Sequence, residues 1–279
     1  MRGNNSMIRR DKKIARHVIH LLLIFAVIFT ASSLHAQRTK SSLSAGSQRN
    51  AEKGLRDNRY FFYFINTSIT NLGTEDEKKM FKEAIQRDFI AQQLYMKFLF
   101  RESFDEIRRA QSILITLYRM ILGRDIDEAK KLLNKFAPTI IQRNSYLARH
   151  YLRLGYRDAA DAQVDLVMAD NFQERLYSMR LYRYSKAIKK VKHGKRYALF
   201  SLVEAKTGPN IKRELGLLGF DKLKELIIQV SGDEQKEFHL LIHTDNYYKS
   251  KDEKSFYDRI WEKPDLDEIK EYAEYLKLN

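Results

Sequence analysis

Asn144-Ser-Tyr-Leu-Ala-Arg-His-Tyr-Leu-Arg-Leu-Gly155-Tyr-Arg-Asp-Ala-Ala160 is the stretch on which the fold turns. Leu147, Ala148 and Tyr151 fall on one face of a 3.6-residue helix, and small Ala148 lets a second helix come close. Gly155 then reads as a turn, since glycine adopts the left-handed conformation that ends many helices. Ala160 lies on the helix that follows. The stretch therefore predicts an antiparallel helix pair joined at a glycine.

The same grammar extends in both directions. Thr74-Glu75-Asp76-Glu77 and Ser103-Phe104-Asp105-Glu106 have the form of capping boxes, and Asp125-Ile126-Asp127-Glu128 is similar. Gly73, Gly123, Gly155, Gly194 and Gly232 stand where helices would end, and Pro138, Pro209 and Pro264 punctuate further boundaries. Between these marks apolar residues recur at helical spacing, as in Met80, Phe81, Ala84, Ile85 and Phe89, and no alternating run suggests a strand. The run Tyr60-Phe61-Phe62-Tyr63-Phe64-Ile65, on a helix expected from Asn58 to Asn71, is apolar around its circumference. It reads as buried on both sides, as an interface, or as a short buried strand. The expected fold is all-α, with ten to twelve helices paired as antiparallel hairpins and stacked into an elongated, straight or curved, array.

Leu147, Ala148, Tyr151, Gly155 and Ala160 occupy the offsets of the Leu, small, Tyr, turn and Ala positions of a tetratricopeptide hairpin, which this stretch resembles. Asn144 replaces that motif's Trp and Phe172 its Pro. Gly123 and Ala129 precede Gly155 and Ala160 by close to one repeat. An ordinary helix pair explains the stretch equally well.

The first 36 residues read as an export signal. Arg9, Arg10, Lys12, Lys13 and Arg16 form a basic region, Leu21 to Ala31 an apolar core, and Ser32 to Ala36 a small-residue site before Gln37. Kept in place, the same segment would be an N-terminal anchor, although its apolar core falls short of the ~20 residues that span a bilayer. The expected organisation is 1–36 signal peptide, 37–50 flexible lead, 51–207 helical stack and 208–279 C-terminal helical subdomain, divided at Gly208-Pro209. Export without any cysteine fits a bacterial periplasm and excludes disulfides and thiolate chemistry. The chain has 51 Lys and Arg against 36 Asp and Glu, a net charge of +15, which favours anionic partners. Export argues against nucleic acid among them, and no stable membrane span is expected once the signal is cleaved.

Catalytic motifs are missing from the sequence. It contains no Gly-x-Ser-x-Gly, no phosphate-cradling glycine loop and no His-Glu-x-x-His. His239 and His243 share a helical face near Glu237 and Asp245. Leu240 stands where a zinc peptidase has its general base, however, so a surface or half-buried pair is the simpler reading. Asn66-Thr67-Ser68 has the form of a glycosylation acceptor. No enzyme activity, cofactor or metal is expected.

The strongest surface feature follows Glu174, where a long basic run interleaved with tyrosines has no intervening acid. Arg175, Tyr177, Arg180, Tyr182, Arg183, Tyr184, Lys186, Lys189 and Lys190 are the expected partner-binding residues, because Tyr and Arg combine large contact area with forked hydrogen bonding. The alternative is a solvated helix face whose long side chains cover apolar surface.

Taken together, the exported, cysteine-free, Tyr- and Arg-rich helical chain, with its segment from Asn144 through Tyr197, resembles the flagellar-coiling proteins of the sheath around spirochaete periplasmic flagella. That resemblance implies a non-enzymatic structural role on the periplasmic flagellar filament, with the filament core and a sister sheath protein as partners. The alternative is a periplasmic tetratricopeptide-like adaptor for a soluble protein or peptide.

Overall fold

A computed structural model describes residues 46–206 and 253–277. The chain divides at Asn50 into two compact units. The described residues of the first, 46–50, are helical although expected to belong to a flexible lead. The second holds α1 (51–72), α2 (Glu75–Met96), α3 (Phe100–Gln142), α4 (Tyr146–Asp170) and α5 (Tyr177–Lys206). Further along come α6 (Phe256–Glu262), a 3₁₀ turn (Leu266–Glu268) and α7 (Tyr272–Tyr275). No strand occurs among the described residues, so the all-α expectation holds. The signal segment, the break at Gly208-Pro209, Gly232 and the pair His239/His243 lie outside the described residues.

Helix boundaries follow the expected chemistry in part. Thr74 forms a full capping box with Glu77 at the start of α2, and Ser145 and Ser255 cap α4 and α6. Ser103 and Asp125 cap nothing: both lie inside α3, a single helix of 43 residues, about 65 Å long. Its buried stripe begins at Ser103 itself and runs on through Asp125, with Ile107, Ala110, Leu114 and Tyr118 before that acid and Leu133, Phe136 and Ile140 after it. Burial of that stripe outweighs the local preference for a cap. Ser103 instead donates to the Ala91 carbonyl of α2 at 2.8 Å.

The expected glycine turns are corrected as well. Gly123, Gly155 and Gly194 lie within α3, α4 and α5, and no described glycine has positive φ. The tetratricopeptide turn at Gly155 is therefore absent. Left-handed backbone occurs at Phe98 and Asn144, which reverse the chain after α2 and α3, and at Asp265. Pro138 sits inside α3 and ends nothing. Pro264 does mark a boundary, just beyond α6.

Consecutive long helices run antiparallel, and α3 is the spine against which α1, α2, α4 and α5 pack. Tyr118 of α3 donates to the Phe61 carbonyl of α1 at 2.8 Å, Arg124 pairs with Glu77 of α2 at 2.9 Å, and Lys195 of α5 reaches Asp125 of α3 at 2.9 Å. The aromatic run of α1 is helical and mostly buried: Phe61, Phe62, Ile65 and Ile69 are fully enclosed, while Tyr60 and Tyr63 face outward. Asn66 is buried and donates to Ser255 at 2.8 Å, which leaves it unavailable as a glycosylation acceptor. The C-terminal segment lies along α1 and α2, with Trp261 edge-on to Phe89 and Gln86 donating to the Pro264 carbonyl at 2.7 Å.

Helices α4 and α5 cross at their glycines. A methyl group at Gly155 would stand 3.2 Å from the Gly194 carbonyl oxygen, and one at Gly194 would stand 3.1 Å from that of Gly155. Gly155, expected as a turn, is thus a contact point between two helices. That close crossing fixes which side of α5 faces inward.

Candidate docking face on helix α5

Apolar residues Leu181, Tyr184, Ile188, Val191 and Ala198 turn α5 toward the core. Three carboxylates of α4 line the seam beside them. Arg183 pairs with Asp165 at 2.9 Å, and Lys190 reaches Asp165 at 2.7 Å and Asp161 at 3.9 Å. The fully buried Tyr184 donates to Asp170. Burial first, and then that carboxylate, push the Tyr184 hydroxyl up to about 12. Arg180 donates to the Ala169 carbonyl at the end of α4, at 3.3 Å. Four of the nine expected partner-binding residues thus hold α5 against α4. Lys195, from the same basic run, is buried and gripped by Asp125 and by Glu128 at 2.7 Å.

The other five sit differently. Tyr177 is half-buried beneath the Arg108 guanidinium, 5.1 Å from its ring centroid. Arg175, Tyr182, Lys186 and Lys189 are exposed. Adding the exposed Met179, His193 and Arg196 completes a row at 175, 179, 182, 186, 189, 193 and 196, spaced alternately four and three residues apart. Met179, His193 and Arg196 were not among the expected binding residues, although this spacing marks them directly.

Tyr182 of this row is stacked on Tyr60 of α1, ring centroids 5.5 Å apart, and its hydroxyl donates to Asp57 at 3.1 Å. The Phe64 ring lies 5.6 Å from the Lys189 ammonium and 5.9 Å from that of Lys192. Such contacts hold the cations above an aromatic floor. Among the described residues no carboxylate pairs with Arg175, Lys186, Lys189 or Arg196, and α5 carries no acid before Glu204. The face is cationic and aromatic, and the carboxylate that Tyr182 meets, Asp57, is buried.

A second charged region lies between α2 and the C-terminal segment, in a cleft of ≈ 510 Å³ lined by Lys79, Lys82, Gln86, Arg87, Glu268 and Glu271. Its charges answer one another: Lys82 pairs with Glu268 at 2.8 Å, and Arg87 with Glu106 at 3.2 Å and Glu271 at 3.7 Å. The Lys82 hydrogen bond holds the Glu268 carboxyl below its usual range. Among the described residues no cluster of three or more His, Asp or Glu has the arrangement of a metal site. None of the described helices is long and apolar enough to cross a membrane.

A family model described as surface protein adhesin OmpL37 matches residues 45–275. No curated protein and no solved structure matches the chain.

Proposed function

The chain belongs to the surface protein adhesin OmpL37 family, and from that premise we propose that it is an exported, non-enzymatic protein of the cell envelope that acts by holding a macromolecular partner. The observation that carries this reading is the exposed face of α5, where cations with no carboxylate partner among the described residues share one row with Tyr182, itself stacked on Tyr60 of α1. An adhesin needs only such a surface; no reaction has to follow binding. The tetratricopeptide-like adaptor reading loses its footing, because the turn that would shape its groove is absent at Gly155.

Assembly on a periplasmic flagellar filament is the finer reading, and it rests on the organisation of the chain alone. The family's description, a surface protein adhesin, supports a location at or near the cell exterior instead. The two readings differ in accessibility. If the chain faces outward, protease or antibody added to intact cells reaches it and purified filaments lack it. Protection in intact cells together with enrichment on filaments would overturn the surface reading in favour of the sheath.

The face itself is tested by reversing Lys186, Lys189 and Arg196 to Glu. These side chains hold no intramolecular ion pair among the described residues, so the fold should survive while attachment is lost. Unchanged attachment of cells carrying the triple variant would refute the role of this face.

A further inference from the structure

We propose that the exposed row of α5 is a track for a sulfated polysaccharide chain. This rests on the reading of that row as the docking face and names the chemistry of its partner. Lys186, Lys189, His193 and Arg196 present one nitrogen-bearing side chain per helical turn, about 5 Å apart along a straight line. A linear polymer with an anionic group on each repeat can lie along such a line and meet every position in register. A folded acidic protein spreads its charge over an area and would meet only part of the row.

The side chains left exposed argue the same way. Protein interfaces are depleted of lysine at their centres and use Tyr and Arg as anchors. On α5 Arg180, Arg183 and Tyr184 are turned into the α4 seam, and the middle of the row that remains outside is taken by Lys186 and Lys189. Tyr182 and Tyr60 form a stacked, exposed aromatic ledge just ahead of Lys186, with Met179 and Arg175 beyond it. Such a ledge offers a flat face to the C–H bonds of a sugar ring. Sulfate groups stay ionised at any physiological pH and accept several hydrogen bonds from Lys and Arg. A line of cations beside an aromatic ledge matches a polymer whose sugar rings carry sulfate groups.

The test measures binding of the full chain to heparin, a heavily sulfated glycosaminoglycan, at physiological ionic strength. Desulfated heparin, poly-glutamate and duplex DNA serve as comparison probes. Lys186→Glu, Lys189→Glu and Arg196→Glu together should weaken heparin binding roughly tenfold or more and flatten its salt dependence. A control triple, Lys79→Glu, Lys131→Glu and Arg143→Glu, makes the same change in net charge at exposed sites elsewhere and should cost less than about threefold. Tyr182→Ala should weaken binding while leaving the salt dependence unchanged. If the Glu triple fails to fold, the Gln versions at the same three positions replace it. Equal losses in the two triples would show that binding follows net charge, and would overturn the proposal. Binding to desulfated heparin, poly-glutamate or DNA as tight as to heparin would overturn it too, while leaving α5 as a docking face. If the Glu triple changed neither heparin binding nor the attachment of cells, both readings would fall.

Discussion

Replacing Gly155 by alanine puts a methyl group at the crossing of α4 and α5. The added carbon would lie 2.6 Å from Leu133 Cδ2, 3.2 Å from the Gly194 carbonyl oxygen and 3.5 Å from Tyr197 Cβ. Carbon atoms in contact prefer about 3.5–4.0 Å, so the overlap with Leu133 is close to 1 Å. Leu133 is fully buried, and its displaced methyl has to push into filled space. Overpacking of this kind costs about 1–3 kcal/mol. Alanine returns up to about 1 kcal/mol through its better helix propensity. The net loss is then roughly 1–2 kcal/mol, a fall in Tm of about 2–8 °C for a domain of this size.

Gly123 supplies the contrast. It too lies inside a long helix, yet a methyl group there meets nothing within 4 Å. Gly123→Ala should therefore gain about 0.5–1 kcal/mol by propensity alone. Gly194→Ala should lose stability, because its methyl faces backbone atoms of Gly155 and Ala159 at 3.1 and 3.5 Å, which cannot swing aside. Chemical denaturation followed by helical circular dichroism measures all three. Opposite signs at 123 and 155 are the expected result. Stabilisation of similar size at both positions would refute the close crossing, and with it the orientation of α5 that exposes the cationic row.

Lys195→Ala should cost about 3–5 kcal/mol, because it strips the buried carboxylate of Asp125 of its ammonium partner; adding Asp125→Asn should recover part of that loss, and a double-mutant cycle by urea denaturation checks it. Phe98 is 79% exposed with φ at 63°, a conformation that strains a bulky residue, so Phe98→Gly should raise Tm by relieving about 1 kcal/mol; a lower Tm would refute the strain. Burial pushes the Asp88 carboxyl from 3.8 up to about 6, against the opposing hydrogen bonds of Asn58 and Gln92. The folded chain therefore holds this proton more tightly than the unfolded one, and stability should decline by up to about 3 kcal/mol as pH rises from 4 to 6, then level off. Asp88→Asn should remove that decline from the pH profile of unfolding.

What the sequence reveals about α5 depends on the distance over which each residue's fate is decided. The inward stripe Leu181, Tyr184, Ile188, Val191 and Ala198 is a period readable within one helix, and the row 175, 179, 182, 186, 189, 193 and 196 is its complement. The exposed face was therefore legible, down to Met179 and His193, which the basic run alone does not single out, and to Arg196 at the end of that run. The inward turn of Arg183 and Lys190 was half legible, because Asp161 and Asp165 lie four apart on the preceding helix and form a matching acidic stripe. The burial of Lys195 was not legible, since its partner Asp125 lies 70 residues away, at a position where capping explains an acid equally well. The glycines fail for the same reason: helix end, open flank and helix crossing all ask for glycine. Gly73 follows the end of α1, Gly123 borders open space, and Gly155 meets a residue 39 positions downstream. Local sequence supplies the residue type, and only the partner helix tells which demand it meets. A capping box carries the same ambiguity, which is why Thr74 starts a helix while Ser103, followed by the same spacing to a glutamate, disappears into the middle of one.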